Sequence, residues 1–269
     1  MDISFIGGGK RVEAYYRLFA NRLDFKVSGF YCNPIKDCTD IAISTNTCLF
    51  SCIDDLCKLS DIIFIATEDE MLPAVIKTLT KLHIHNKIIV GIANGIYASD
   101  LDNGYENTYA VIDSAMTLEH LSENEICEAD IVINGYGKRF DEFINGLKSS
   151  NIKYSQVSKP ALQLFRAACH IVYYGTYAVL NSAQKLCKIA TNNNINVTPI
   201  IKSALRYNSV NNSPYKEGRV RDVAEIADIL DNNGIDSITG LYKAIGAIAV
   251  ENASLEKDVA DDMYKILRK

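Results

Sequence analysis

The stretch that most limits what this chain can fold into is its first nineteen residues. Met1-Asp2-Ile3-Ser4-Phe5-Ile6 is apolar enough for a short buried strand, and Gly7-Gly8-Gly9 follows at once. Lys10-Arg11-Val12 then leads into the helical pattern Ala14-Tyr15-Tyr16-Arg17-Leu18-Phe19. Strand, glycine turn and helix in that order form a βα unit whose helix N-terminus presents free N–H groups and a positive dipole end to a pyrophosphate. Gly7 lets the chain turn at the strand end, and Gly9 lets the backbone approach the phosphates. Gly8, Lys10 and Arg11 flank them, so these five are candidate cofactor contacts. The third glycine of the G-x-G-x-x-G pattern is replaced by Val12, whose branched side chain is expected to hold helix and strand further apart.

Strands and helices keep alternating through the first half. Phe25–Tyr31 reads as the second strand, and Tyr31-Cys32-Asn33-Pro34 stands where a fold of this kind carries an acid for the ribose hydroxyls of NAD. No acid is there. Asn33 and Lys36 are instead candidate donors to the extra phosphate of NADP, with NAD as the alternative, while Asn33-Pro34 reads equally well as a plain turn. The continuous apolar run Asp61–Thr67 suits a strand covered on both faces, and Thr67-Glu68-Asp69-Glu70 reads as the cap of a helix over 71–82. Lys87–Ala93 is the next strand, followed by the Asn94-Gly95 loop. Ala66, Thr67 and Asn94 thus lie beyond the carboxyl ends of parallel strands, where such sheets bind ligands. Further strands at 109–113, 130–134 and 153–157 and a helix at 139–148 complete an α/β, doubly wound, mostly parallel sheet over residues 1–157.

After Lys159-Pro160 the pattern changes. Residues 161–191 run on as one helix, about 30 residues or about 45 Å long, and helical stretches at 198–207, 222–230, 238–251 and 255–267 follow. Residues 158–269 are therefore expected to form an all-helical substrate and dimerisation domain. The flank of the long helix carrying Leu164, Ile171 and Ala178 should pack on a second copy as a homodimer.

A net charge of −5 argues against a nucleic-acid surface. No apolar run approaches the roughly 20 residues that span a membrane. A strand directly at Met1 is read as leaving no room for a signal peptide. The eight scattered cysteines, with no C-x-x-C pair, are accordingly expected to be reduced thiols in a cytoplasmic protein. Four histidines without clustering predict no metal site. Walker-loop spacing, a Tyr-x-x-x-Lys pair and a Gly-x-Ser-x-Gly elbow are all absent.

Arg166, His170, Tyr173 and Tyr177 recur at helical spacing along the long helix. Facing a cleft, Arg166 could hold the carboxylate of a small-molecule substrate. His170 or Tyr173 could then protonate an oxygen or nitrogen as hydride arrives. The competing reading is a polar seam in a dimer interface, since amphipathic patterning produces such stripes without chemistry.

With both halves laid out, the chain resembles a family of NADP oxidoreductases that join a Rossmann domain to a C-terminal helical domain, distant relatives of pyrroline-5-carboxylate reductase and the 3-hydroxyacid dehydrogenases. The resemblance is carried by Ile6-Gly7-Gly8-Gly9, by Asp61–Glu70, by Ile92-Ala93-Asn94-Gly95 and by Leu164–Ala168. Glu217–Asp222 and Leu241–Ile245 add to it. It implies NADP-dependent hydride transfer to or from a small keto or imino compound. Three positions depart from the family pattern. Ser114-Ala115-Met116-Thr117 keeps the serine of Ser-x-His-Pro and loses the histidine, and Phe165-Arg166-Ala167-Ala168 loses the histidine of Tyr-His-Ala-Ala. Tyr174 stands where an asparagine is expected. These losses keep a second reading open, a non-catalytic dinucleotide-binding sensor or scaffold.

Overall fold

The computed structural model describes residues 1–20, 22–68, 70–92, 95–114, 125–126, 129–206 and 213–268. The chain divides into two compact units, Met1–Cys169 and His170–Lys269.

The first unit is built on an eight-stranded sheet. Its elements are β1 (Asp2–Ile6), α1 (Lys10–Phe19), β2 (Lys26–Tyr31), a 3-10 turn (Ile35–Cys38), α2 (Thr39–Thr45), β3 (Cys48–Leu49), α3 (Ile53–Leu59) and β4 (Ile62–Ile65). Then come α4 (Leu72–Lys81), β5 (Ile88–Gly91), a second 3-10 turn (Ala98–Leu101), β6 (Thr108–Ser114), β7 (Ile131–Tyr136), α5 (Phe140–Ser149) and β8 (Tyr154–Gln156). The strand order is β3-β2-β1-β4-β5-β6-β7-β8, so the first six strands have the doubly wound order 3-2-1-4-5-6 of a Rossmann fold. All pairs from β3 to β6 are parallel, β7 runs antiparallel to β6, and β8 lies parallel to β7. The expected α/β sheet is present, with its direction reversed at the last two strands.

Alternation along each strand sends side chains to opposite faces. Ile3, Phe5, Ile62 and Phe64 join Val12, Leu18 and Phe19 of α1 and Phe143 and Leu147 of α5. Ile63, Ile65 and Ile89 join Leu56 of α3 and Leu79 of α4 on the other face. Val12, the residue in place of the third glycine, is fully buried in the first of these cores.

Two local expectations are corrected. Glu68 and Glu70 do not cap α4: the helix starts at Leu72 behind Met71 with no side-chain cap, and Pro73 supplies a first-turn residue with no N–H to satisfy. Cys32 and Cys38 are not free thiols. The turn that follows β2 brings their Cα atoms to 5.8 Å and they are joined as a disulfide, a separation that suits such a bond.

α6 (Lys159–Thr191) begins in the first unit and continues into the second. The second unit adds α7 (Thr198–Arg206), α8 (Val220–Asn232), α9 (Asp236–Glu251) and α10 (Lys257–Leu267). Its helical core is small: Val223, Val250, Met263 and Leu267 form one cluster, and Leu230, Ile235 and Ile238 another. Among the described residues no helix is long and apolar enough to cross a membrane.

Candidate functional site

The site is built at the carboxyl ends of the paired strands β1 and β4, the point at which strand order reverses and folds of this kind bind their ligands. Gly7 leaves β1 with its N–H on the Tyr31 carbonyl at 2.9 Å and a φ of +119°. A Cβ there would stand 2.6 Å from the Ala66 carbonyl oxygen, so only glycine lets the β1 turn close against the end of β4. Gly9, with φ +86°, is the N-cap of α1, and a Cβ added to it would meet nothing within 4 Å. Space for a ligand therefore lies over Gly9. The start of α1 has no side-chain cap, which leaves its first-turn N–H groups to an external acceptor. These features fit the pyrophosphate of a dinucleotide: a glycine cradle, uncapped helix amides, and Lys10 exposed and Arg11 half-buried beside them.

Asn33 and Lys36 are exposed in the turn after β2. Ala66 and Thr67 follow β4, and the Thr67 hydroxyl is buried without a hydrogen-bond partner among the described residues. Asn94 lies outside the described residues, as do Ala115, Met116 and Thr117 of the altered family segment.

Arg166 is fixed more firmly than its sequence context suggests. Its Nε donates to Asp113 Oδ2 at 2.7 Å and its Nη2 donates to the Ile96 carbonyl at 2.6 Å. Its guanidinium lies 4.9 Å from the centre of the Tyr97 ring. Tyr97 is itself held by α6: Lys159 Nζ sits 4.2 Å from the ring centre and Gln163 Nε2 donates to the hydroxyl at 3.1 Å. Residues 159, 163 and 166 share one helical face, so this face grips the β5–β6 connection through a single aromatic ring. Arg166 and Asp113 keep only 17% and 14% exposure. Burial pushes the Asp113 carboxyl above its ordinary value, and its pairing with Arg166 and the charge of Arg11 only partly offset this. Arg166 Nη1 is buried and has no hydrogen-bond partner among the described residues.

The sequence stripe is thus divided. Arg166 belongs to the first unit, and His170 and Tyr173 belong to the second. His170 is exposed, with its ring 5.2 Å from that of Tyr174, and Tyr173 is exposed and also meets Tyr174 at 5.2 Å. Sequence reading missed Asp113 and Tyr97. The available signal for Asp113 was a lone carboxylate closing an otherwise apolar strand; for Tyr97 there was none. No group of side chains able to hold a metal occurs among the described residues.

A strand order 3-2-1-4-5-6 with glycines at the end of β1 and a following helical unit defines a Rossmann fold joined to a helical unit, and solved structures share it across the whole chain. An imine reductase from Streptomyces aurantiacus matches with a TM-score of 0.65 at 9% identity, covering 100% of this chain and 98% of that one. A 1-pyrroline-5-carboxylate reductase from Streptococcus pyogenes matches with 0.57 at 16% identity, covering 100% and 97%. The pyrroline carboxylate reductase of Plasmodium falciparum, solved with NADP bound, matches with 0.55 at 14% identity, covering 99% and 98%. No protein-family profile matches the chain, and no curated protein does. At these identities the likeness establishes the fold, and the neighbours are NADP oxidoreductases, pyrroline-5-carboxylate reductases and imine reductases, in agreement with the family resemblance of the sequence.

Proposed function

We propose that the chain is an NADP-dependent oxidoreductase that transfers a hydride to or from a small keto or imino substrate. The observation that carries this is the cradle at the carboxyl ends of β1 and β4, where Gly7 closes on Ala66 and Gly9 leaves open space before uncapped helix amides. Gly7, Gly8 and Gly9 with Lys10 and Arg11 hold the pyrophosphate. Asn33 and Lys36, in the turn that follows a β2 end carrying no acid to select NAD, receive the additional phosphate. Ala66 and Thr67 line the nicotinamide end. A bound nicotinamide supplies or accepts the hydride. Arg166, held by Asp113 and the Ile96 carbonyl, orients an anionic group of the substrate. His170 supplies the proton, with Tyr173 as the alternative donor, imidazole being the side chain best suited to proton exchange near neutral pH. The imino reading is supported by the names of the structural neighbours, pyrroline carboxylate and imine reductases. The protein works in the cytoplasm as a homodimer through its helical domain.

Calorimetric titration with NADPH and NADH tests the cofactor, with NADPH expected to bind more tightly. A screen of keto acids and cyclic imines, read as loss of NADPH absorbance, tests the chemistry. His170→Gln should then cost roughly a hundredfold in kcat. Binding without turnover on any compound would favour the sensor or scaffold reading, to which the lost family histidines already point.

A further inference from the structure

The Cys32–Cys38 bridge lies inside the cofactor site just described. Cys32 follows the last residue of β2 and Cys38 ends the 3-10 turn, so the bond closes a loop over Asn33-Pro34-Ile35-Lys36-Asp37. Those five residues are exposed while both cysteines are buried. The bridge also rests directly on the glycine cradle. Cys38 Sγ is 3.3 Å from the Gly7 carbonyl oxygen. A Cβ on Gly8 would stand 2.9 Å from Cys32 Sγ and 2.8 Å from the Asp37 carbonyl oxygen. Gly8 therefore has to be glycine because the bridged loop is packed against it. Besides the bond, the loop is held by local hydrogen bonds: the Asp37 N–H on the Pro34 carbonyl at 3.2 Å, the Thr39 N–H on the Lys36 carbonyl, and the Thr39 hydroxyl on the Ile35 carbonyl at 3.3 Å.

We infer that the Cys32–Cys38 disulfide is a specificity-determining element of the nucleotide site, one that holds Asn33 and Lys36 against the glycine cradle so that they receive the additional phosphate of NADP. The inference rests on the cofactor reading above. Its physical basis is pre-ordering. A loop already closed loses less freedom when its donors engage a phosphate, and that saving appears as affinity. NADH has no group at that position and gains little from an ordered loop. Cofactor preference then follows the redox state of one cysteine pair.

The bond forms by exchange with a low-molecular-weight disulfide such as oxidised glutathione. The thiolate of one cysteine attacks a sulfur of the small disulfide and expels one glutathione thiolate. The thiolate of the other cysteine then attacks the mixed disulfide at the protein sulfur and expels the second. Two protein thiols are oxidised to one disulfide, the small disulfide is reduced to two thiols, and the protons of the cysteines pass to the departing glutathione. A dithiol reductant reverses both steps. The buried sulfurs are reached when the short exposed loop opens locally.

The test is calorimetric titration of NADPH and NADH into three samples of the full chain: treated with oxidised glutathione, treated with dithiothreitol, and the Cys32→Ser/Cys38→Ser variant. Peptide mapping after thiol blocking reports the state of the 32–38 pair, and a thermal melt confirms that the variant is folded. The inference expects the mapped bond in the oxidised sample and NADPH affinity about tenfold weaker in the reduced sample, with NADH changing by less than about twofold. The variant should behave as the reduced sample and be indifferent to either reagent. Equal NADPH affinity across a verified change in the bond overturns the inference and leaves the cofactor reading standing, as does an oxidised sample in which the pair stays unbridged. Failure of both dinucleotides to bind any of the three samples overturns the cofactor reading and the inference with it.

Discussion

The sheet of the first unit and the long helix α6 treat their apolar residues in opposite ways. β4 and β5 are buried at every position, and Phe5, Phe30 and Phe64 stack within the sheet at centroid distances of 5.1 to 5.5 Å. α6 has 33 residues of which only Leu162 is buried. Ile171, Val172, Tyr173, Tyr174 and Tyr177 are each more than half exposed. The first unit closes its core with its own chain. The helix leaves these apolar and aromatic side chains exposed on the chain by itself.

The sharpest test of this contrast is a pair of truncations. Phe64→Ala should cost roughly 3–5 kcal/mol in urea unfolding, because it empties a site ringed by Phe5 and Phe19. Ile171→Ala should change monomer stability by less than about 0.5 kcal/mol, as substitutions at exposed positions do. A loss of several kcal/mol at Ile171 would show that the helix is covered by its own chain after all. The expected homodimer is tested from the same residue: Ile171→Asp should raise the dimer dissociation constant about a hundredfold by burying an unpaired charge, measured by sedimentation equilibrium. A chain that sediments as a monomer at micromolar concentration removes the proposed interface.

Within the closed unit, Gly9→Asp places a carboxylate in the open space before α1 and should abolish NADPH binding by calorimetry, a loss of a hundredfold or more. Gly9→Ala shares the backbone strain, about 1–3 kcal/mol for a side chain at such a φ, without the charge, and separates the two causes.

The smallest expected effect concerns pH. Asp113 titrates above an ordinary aspartate because it is buried. Its raised folded-state value means that protonation favours the fold, and that this contribution is lost as pH rises through the raised value. Protonation also leaves the Arg166 charge uncompensated. Binding of a carboxylate ligand should therefore tighten several-fold as pH falls through that range. Asp113→Asn should bind with the tighter constant throughout and show no such dependence in a fluorescence or calorimetric titration.

Much of the fold was legible because its signals are local. A glycine turn between a buried strand and a helix, apolar runs of strand length and a helical stretch free of breakers each follow from neighbouring residues. Helix ends were less legible: Thr67–Glu70 has the composition of a cap, yet α4 starts later, behind Met71. The candidate site was legible only in part. The glycines announce themselves by spacing, whereas the state of Arg166 depends on a partner 53 residues away.

The amino-acid sequence by itself therefore determined the elements, the division into an α/β half and a helical half, and the place of the glycine cradle, since those depend on periodicity and backbone freedom over a few residues. Tertiary structure alone decided the reversal of β7 and β8, the capture of Arg166 by Asp113 and Tyr97, and the exposure of α6. It also placed the Cys32–Cys38 bridge against Gly8. Each of these depends on which surfaces meet after the chain has folded, and contacts between distant residues leave no periodic trace in the order of the chain.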